Sequence, residues 1–336
     1  MTGPESLRRQ IPLGESQRSA IAAARTGILE LLRGHDARLL IVVGPCSLHD
    51  EAAALDYGAR LARLSEELRE RLLLVMRAYP EKSRTALGWR GIAEDPGLEG
   101  RRDPTVGIPM ARRLLVELAG LGIPLGAELV SPFLWPYWED CLSWAAVGAR
   151  GVDAQYLREL AARIPFPVAF KNGLDGNFTG ALNAALAASQ VMTFVGMESD
   201  GSVGPLEAGG NPFPHVCLRG GEAGPNWQAA TDLAEAMRGA GLDPAVLVDL
   251  GHGNSPGRDV GALSRLMKAL LALRRGNQRS APIRGFLIES NIEAGRQEPG
   301  PPAGLRYGVS ITDECLGWSD TESLLRALAE EADSLI

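Results

Sequence analysis

Side chains that commonly bind metal ions are spread along the sequence, and three of them follow or end an apolar run. The set comprises one thiol, one imidazole and two carboxylates: Cys46, His252, Glu289 and Asp313. Such donors suit borderline divalent ions such as manganese, iron, cobalt or zinc. A cysteine after an apolar strand is more often a small buried hydrophobe when it occurs alone. The four together make one divalent metal site as plausible as four structural roles.

A second set of polar residues is basic and also lies near the ends of apolar runs. Each member alone would be assigned to solvated surface. An arginine at the end of a buried strand is less ordinary, because removing a guanidinium from water is costly unless an anion compensates. Guanidinium groups bind phosphate and carboxylate in bidentate fashion. The set therefore predicts a small substrate that carries both groups. Its members are Arg77, Lys82, Arg84, Arg150, Lys171 and Arg219.

The apolar runs that would position these residues alternate with amphipathic helical patterns. We count nine runs, which begin at or near Leu39, Leu72, Pro124, Val147, Pro167, Val191, His215, Ala245 and Gly285. Near-continuous apolar strands separated by helices indicate a parallel sheet covered by helices. Eight such units close a (β/α)8 TIM barrel, in which the C-terminal ends of all strands meet at one face. This fold would bring the two polar sets together.

One run exceeds the eight that a barrel needs. We assign the run at Val191 to the sixth barrel strand. We place the short run at His215 in an inserted β-hairpin before the seventh strand, because Gly and Pro are frequent between Met197 and Asn226. A helical pattern is expected to open near Asp50. Residues 1–38 are predicted to form an N-terminal arm and helix, and residues 39–336 a single catalytic barrel.

Composition excludes several classes of protein. The 336 residues carry a net charge of −7, which argues against nucleic acid or an anionic membrane as a partner. A hydrophobic content of 45% supports a large core and excludes wholesale disorder. No apolar run reaches the roughly 18 residues of a membrane span, and the N-terminus does not resemble a signal peptide. The four cysteines form no CxxC motif, so we expect a reducing, cytoplasmic setting.

Long motifs in fixed order resemble one family, the type I (microbial) 3-deoxy-D-arabino-heptulosonate 7-phosphate (DAHP) synthases of aromatic amino-acid biosynthesis. They are LLIVVGPCSLHD, VMRAYPEKSRTALGWRG, GAEL, GARGVDAQ, FKNGLDG, HVCLRGG, DLGHGNS, LIES and YGVSITDECLGW. The resemblance implies that Cys46, His252, Glu289 and Asp313 bind one divalent metal ion. It implies that phosphoenolpyruvate is held by five residues: Arg77, Lys82, Arg150, Lys171 and Arg219. Arg84 and Thr85 match residues that meet the aldose phosphate.

The implied reaction is the condensation of phosphoenolpyruvate with erythrose 4-phosphate in the shikimate pathway. Lys82 would protonate the developing alkoxide, and Glu128 would orient a water molecule. Phosphoenolpyruvate and an aldose phosphate are thus the expected small-molecule partners. We also expect a homodimer or homotetramer.

The sequence departs from the family around the second substrate and the effector. The KPRT motif is KSRT, with Ser83 in place of Pro, and Gly151 and Val152 replace two threonines. Pro136 and Pro165 stand where effector-binding polar residues are expected. Two alternatives therefore remain open, a paralogue that uses a different aldose and a catalytically silent barrel that serves as a regulatory or binding subunit. The reaction that forms 3-deoxy-manno-octulosonate 8-phosphate is disfavoured, because that group has an Asn-containing motif where KSRT stands.

Overall fold

The computed structural model describes residues 2–222, 224–254, 260–276 and 283–333. The strands of these residues, in chain order, are β1 (Leu39–Gly44), β2 (Leu72–Arg77), β3 (Leu125–Glu128), β4 (Trp144–Val147), β5 (Val168–Lys171), β6 (Met192–Met197), β7 (Val203–Ala208), β8 (His215–Leu218), β9 (Val246–Asp249) and β10 (Ile283–Glu289). The α-helices are α1 (Pro4–Gln10), α2 (Glu15–Arg33), α3 (Glu51–Leu68), α4 (Pro104–Gly120), α5 (Gln155–Arg163), α6 (Thr179–Ala188), α7 (Ala230–Gly239), α8 (Val260–Gly276) and α9 (Trp318–Asp333).

Eight of these strands form a closed parallel barrel in the order β1-β10-β9-β8-β5-β4-β3-β2. The predicted (β/α)8 fold is therefore confirmed. Strand β1 has a partner on each edge, since Leu40 pairs with Leu73 of β2 and with Gly285 of β10. Every residue of β1 and β2 is buried, because helices cover one side of the strands and the barrel interior the other. This two-sided burial explains why both strands are continuous apolar runs in the sequence.

The assignment of two runs was wrong. The run at Val191 does not form the sixth barrel strand; it forms β6, which pairs antiparallel with β7 in a separate two-stranded sheet. The run at His215 is β8, a barrel strand between β5 and β9. The hairpin therefore precedes the sixth barrel strand, whereas we had placed it after the sixth. Burial explains the exchange, because Val195 of β6 is 76% exposed whereas all four residues of β8 are buried.

The fourth barrel strand also lies earlier than expected. It spans Trp144–Val147, whereas the predicted run began at Val147. The residues GAR that follow it form the loop above the barrel, so Arg150 lies in a loop and not within a strand.

Helix α2 packs against the N-terminal end of the barrel. Its buried Ile28, Leu31 and Leu32 belong to the same apolar cluster as Leu40 at the start of β1. The helix ends at Arg33 and is capped by Gly34, whose φ of 83° is the left-handed conformation that glycine adopts most easily at a helix C-terminus. The division into an N-terminal part, 1–38, and a barrel, 39–336, stays a prediction.

The helix expected near Asp50 is α3, and the Asp50 side chain caps it by accepting a 3.1 Å hydrogen bond from the amide of Ala53. Its N-terminus follows directly on the loop that carries Cys46, so the cap helps to fix that loop. Among the helices in the described part of the chain, none has the length and apolar character required to cross a bilayer.

Candidate active site

A cavity of about 100 Å³ lies at the C-terminal ends of the barrel strands. Its lining includes the last residues of four strands: Arg77 of β2, Glu128 of β3, Lys171 of β5 and Glu289 of β10. Residues from the segments that follow β2, β4, β8, β9 and β10 complete the predicted part of the lining: Lys82, Arg84, Arg150, Arg219, His252 and Asp313. The convergence expected for a barrel is thus observed.

Two predicted site residues lie outside the lining. Cys46 is fully buried beneath the cavity, two residues after the end of β1. Thr85 is exposed, and its hydroxyl oxygen accepts a hydrogen bond from Nε of Arg150. Each nevertheless contacts or approaches a residue of the cavity wall.

The four predicted metal ligands lie together. Ligand atoms of Cys46, Glu289 and Asp313 are all within 4.8 Å of one another. Nε2 of His252 is 3.5 Å from Oε1 of Glu289. The barrel explains part of this proximity, because Gly44 of β1 pairs with Glu289 of β10. The amide of Leu316 donates to the carbonyl of Glu289 at 3.0 Å, which holds the loop carrying Asp313 over the same strand end.

Asp249, at the end of β9, connects this cluster with the basic residues, and sequence reasoning missed it. Its Oδ2 accepts a 2.6 Å hydrogen bond from Nζ of Lys171 and lies 2.9 Å from Nδ1 of His252. Burial alone raises the pKa of the Asp249 carboxyl, but the charges of Lys171 and His252 hold it well below its usual range. The carboxylate fixes both side chains and directs Nε2 of His252 towards Glu289. The sequence signal that could have identified Asp249 is its position as an acidic residue at the end of an apolar run.

Lys82 contacts two members of the cluster. Its Nζ donates to Oδ2 of Asp313 at 2.7 Å and to the carbonyl of Cys46 at 3.1 Å. Burial lowers the pKa of Lys82, but the nearby Cys46 and Asp313 more than reverse this effect and raise it. The Lys82 ammonium is therefore charged within the cavity.

The thiol of Cys46 has an unusual environment. Burial raises its pKa well above the ordinary value, and the neighbouring Cys315 and Glu289 add to this effect. The two sulfur atoms of Cys46 and Cys315 are 3.1 Å apart. Cys315 was not among the predicted site residues, although it lies in the YGVSITDECLGW motif.

The cavity favours an anionic ligand. Six lysine and arginine side chains line it, against three carboxylates. Arg77 is 2% exposed, and its guanidinium carbon lies 4.4 Å from the centre of the Tyr79 ring. Tyr79 itself lines the cavity and was not predicted. Such an excess of positive charge in a confined space is suited to phosphate and carboxylate groups.

The side chain of Glu128 also lines the cavity. Its Oε1 accepts a 2.6 Å hydrogen bond from the hydroxyl of Ser83. A Cβ atom at Gly148 would lie 2.1 Å from the same oxygen, so glycine at this position leaves room for the carboxylate. The GAR sequence after β4 therefore contributes both this space and Arg150.

Comparison with known proteins identifies similar chains. A family model described as the DAHP synthetase I family matches residues 10–326. The Tyr-sensitive phospho-2-dehydro-3-deoxyheptonate aldolase of Escherichia coli (strain K12) is 42% identical over 332 residues, which are 98% of this chain and 92% of that protein. The Phe-sensitive enzyme of the same strain is 38% identical over 330 residues, or 97% and 93% of the two chains.

A solved structure of a related protein has a similar fold. The phospho-2-dehydro-3-deoxyheptonate aldolase from Francisella tularensis SCHU S4 superposes with a TM-score of 0.93 at 33% identity, covering 100% of this chain and 98% of that one. The match therefore extends over the whole barrel and the N-terminal helices.

Proposed function

The chain belongs to the DAHP synthetase I family, and from this premise we propose that it condenses phosphoenolpyruvate with erythrose 4-phosphate to give DAHP and phosphate. Membership makes it an enzyme of the DAHP synthase type, a transferase that joins phosphoenolpyruvate to an aldose phosphate in aromatic biosynthesis. The identity of the aldose and the need for a metal ion are the specific parts of the proposal. One observation supports them: three of the four predicted metal ligands line the same cavity as the predicted basic residues, and the fourth, Cys46, lies within 4.8 Å of two of these ligands.

The donor set fits one divalent metal ion. Cys46, His252, Glu289 and Asp313 would hold it, and the contact of His252 with Asp249 is the support that metal-binding histidines usually have. A divalent charge at this point would also offset the burial that raises the pKa of the Cys46 thiol. When bound, the ion would supply Lewis-acid polarisation of the aldehyde carbonyl.

The basic residues divide between the two substrates. Arg77, Arg150, Lys171 and Arg219 would hold the phosphate and carboxylate of phosphoenolpyruvate, together with Lys82. Arg84 and Thr85 would meet the phosphate of the aldose from the exposed loop after β2. Fixing two anionic reactants side by side needs several cations that are already in place.

The chemical steps assign roles to Lys82 and Glu128. C3 of the enol attacks the aldehyde carbon, and Lys82 protonates the oxygen that develops negative charge. Water adds at C2 with Glu128 as its orienting base, the C2–oxygen bond to phosphate breaks, and the keto acid and inorganic phosphate leave. Ser83 and Gly148 keep the Glu128 carboxylate in position.

We also propose a cytoplasmic location. All four cysteines are free thiols in the structure, which agrees with a reducing compartment. A homodimer or homotetramer remains our expectation for the assembly.

The test is a substrate panel. Metal-loaded protein is incubated with phosphoenolpyruvate and a series of aldose phosphates, while enol absorbance and phosphate release are followed. Consumption of erythrose 4-phosphate supports the proposal, and activity with only another aldose supports a paralogue. No turnover with any aldose would support the silent barrel. Lys82→Met should abolish turnover, whereas Lys268→Met, which removes an exposed lysine of α8, should not.

A further inference from the structure

A second positively charged cleft lies beside α2, and it shares no lining residue with the active-site cavity. Its volume is about 480 Å³. Four arginines and one carboxylate line it: Arg8, Arg18, Arg25, Arg112 and Asp140. The rest of the lining is apolar and includes Leu13 and Ile21. The excess of positive charge is notable in a chain whose net charge is −7.

One of the arginines already has its anion. Arg112 is fully buried and forms a bidentate ion pair with Asp140, in which Nη2 donates to Oδ2 at 2.9 Å. Its remaining hydrogen bonds go to the carbonyls of Ile11 and Tyr137 and to Sγ of Cys141. Arg112 and Asp140 together are therefore close to neutral.

Within the described part of the chain, the side chain of Arg25 donates its hydrogen bonds to backbone carbonyls. Its Nε donates to the carbonyl of Leu142 at 2.8 Å and its Nη2 to the carbonyl of Glu139 at 2.9 Å. The guanidinium carbon lies 4.4 Å above the ring of Phe166. Burial lowers the pKa of Arg25, and the acidic groups of Glu139 and Asp140 only partly oppose this effect. A half-buried guanidinium in this position would gain from an added anion.

Arg8 and Arg18 complete the positive side of the cleft. Nε of Arg8 is buried, makes no hydrogen bond, and lies 3.5 Å from the Asp140 oxygen that Arg112 already engages. Arg18 is exposed and donates to the carbonyl of Leu13. Three guanidinium groups, those of Arg8, Arg18 and Arg25, thus border a space with apolar walls. The one carboxylate of the lining, Asp140, is shared between Arg8 and Arg112.

We propose that this cleft binds a small organic carboxylate with an apolar body. The carboxylate would meet the guanidinium groups of Arg8, Arg18 and Arg25, and the body would lie against Leu13 and Ile21. Inorganic phosphate could bind the guanidinium groups but has no apolar part to contact Leu13 and Ile21. The site is separate from the proposed reaction and does not depend on it.

The test uses 3-phenylpropionate as the probe, with the full-length protein and isothermal titration calorimetry. Its uncharged amide and inorganic phosphate serve as comparison ligands. We expect the acid to bind with a Kd below about 1 mM, and the amide and phosphate each to bind at least about tenfold more weakly. Equal affinity for the acid and the amide, or no saturation by 10 mM acid, would overturn the proposal.

Variants locate the binding. The double variant Arg8→Gln/Arg18→Gln should weaken binding of the acid at least about tenfold, because each substitution removes one charged hydrogen-bond donor. Arg9→Gln is the matched control; Arg9 is an exposed arginine of α1 that pairs with Glu5 and does not line the cleft. Arg25 is left intact because it holds two backbone carbonyls. If the double variant binds the acid as tightly as the parent does, the probe occupies another site, such as the active-site cavity, and the proposal fails.

Discussion

The hydroxyl of Ser83 donates a 2.6 Å hydrogen bond to Oε1 of Glu128. This bond joins the loop after β2 to the end of the neighbouring strand β3, and both residues line the cavity. The resembling family has proline in this place in its KPRT motif, and proline offers no hydroxyl. The contact is therefore a feature of this chain, and it lies on the side of the cavity assigned to water addition and to the aldose.

We predict that Ser83→Ala lowers kcat about fivefold and leaves the KM for phosphoenolpyruvate within about twofold. The net contribution of one hydrogen bond is about 1 kcal/mol, which corresponds to this change in rate. Steady-state kinetics with saturating aldose phosphate measure both constants. Ser16→Ala, which alters an exposed serine of α2, is the control. An unchanged kcat would show that the bond does not position Glu128.

A second prediction concerns the metal ligands. Cys46→Ala should lose bound metal and turnover together, since the thiol is one of the four donors assigned to the ion. Chelation of the parent protein should abolish activity, and a divalent metal should restore it. Metal content is measured by atomic emission after dialysis. The control is Cys141→Ala, because Cys141 is also a buried thiol but contacts Arg112. Full activity of metal-free Cys46→Ala would refute the assignment.

The third prediction separates the two substrates. Arg150→Ala and Arg219→Ala should each raise the KM for phosphoenolpyruvate at least about tenfold, because a charge-assisted bond to phosphate is worth about 1.5 to 3 kcal/mol. Arg84→Ala should instead raise the KM for the aldose phosphate. Circular dichroism checks that all three variants are folded. If Arg150→Ala and Arg219→Ala retain the parent's KM for phosphoenolpyruvate, the two residues do not bind this substrate.

Sequence reasoning succeeded where a single periodic signal decided the structure. Strands β1 and β2 need apolar residues on both faces, so their runs were unambiguous, and their ends located Arg77 and the loop with Cys46. The long run at Val191 was misassigned because length and β-branched residues do not distinguish a barrel strand from a hairpin strand. The alternating segment VGPLEA after the turn ESDGS was the missed indication of a hairpin.

Among the active-site residues, too, some positions could be predicted from the sequence and others could not. Residues at strand ends converge by topology alone, which is why the proximity of the two polar sets could be predicted. Contacts between side chains bring three further residues to the site, Asp249, Tyr79 and Cys315, and a sequence does not reveal distances between loops.

The two prolines assigned to an effector pocket have different environments. Pro136 is buried in the 3₁₀ helix Trp135–Tyr137, whereas Pro165 is exposed.

The barrel interior contains a histidine that is held neutral. Nδ1 of His215 lies 3.1 Å from the carbonyl of Phe213 and must donate to it, so Nε2 accepts the hydrogen bond from the indole N–H of Trp144, also at 3.1 Å. Protonation of Nε2 would place its N–H group against the indole N–H of Trp144, so that two donors would face each other. Burial lowers the pKa of His215 to about 4 from an ordinary value of 6.5, although the Phe213 carbonyl opposes this effect.

The final prediction is that this histidine makes the fold less stable in acid. The unfolded chain binds a proton at His215 below about pH 6.5, whereas the folded chain does so only near pH 4, so the free energy of unfolding falls as the pH decreases through this window. The full loss is about 3 kcal/mol, with a steepest slope of about 1.4 kcal/mol per pH unit. His215→Asn removes the titrating group, and its free energy of unfolding should decrease less steeply between pH 6.5 and 5. Urea unfolding of both proteins with a chelator present measures the slopes. His49, whose pKa is lowered by burial in the same direction, is retained in both proteins, so its contribution cancels. Parallel curves for the parent and the variant would mean that His215 accepts a proton equally well in the folded and unfolded chains.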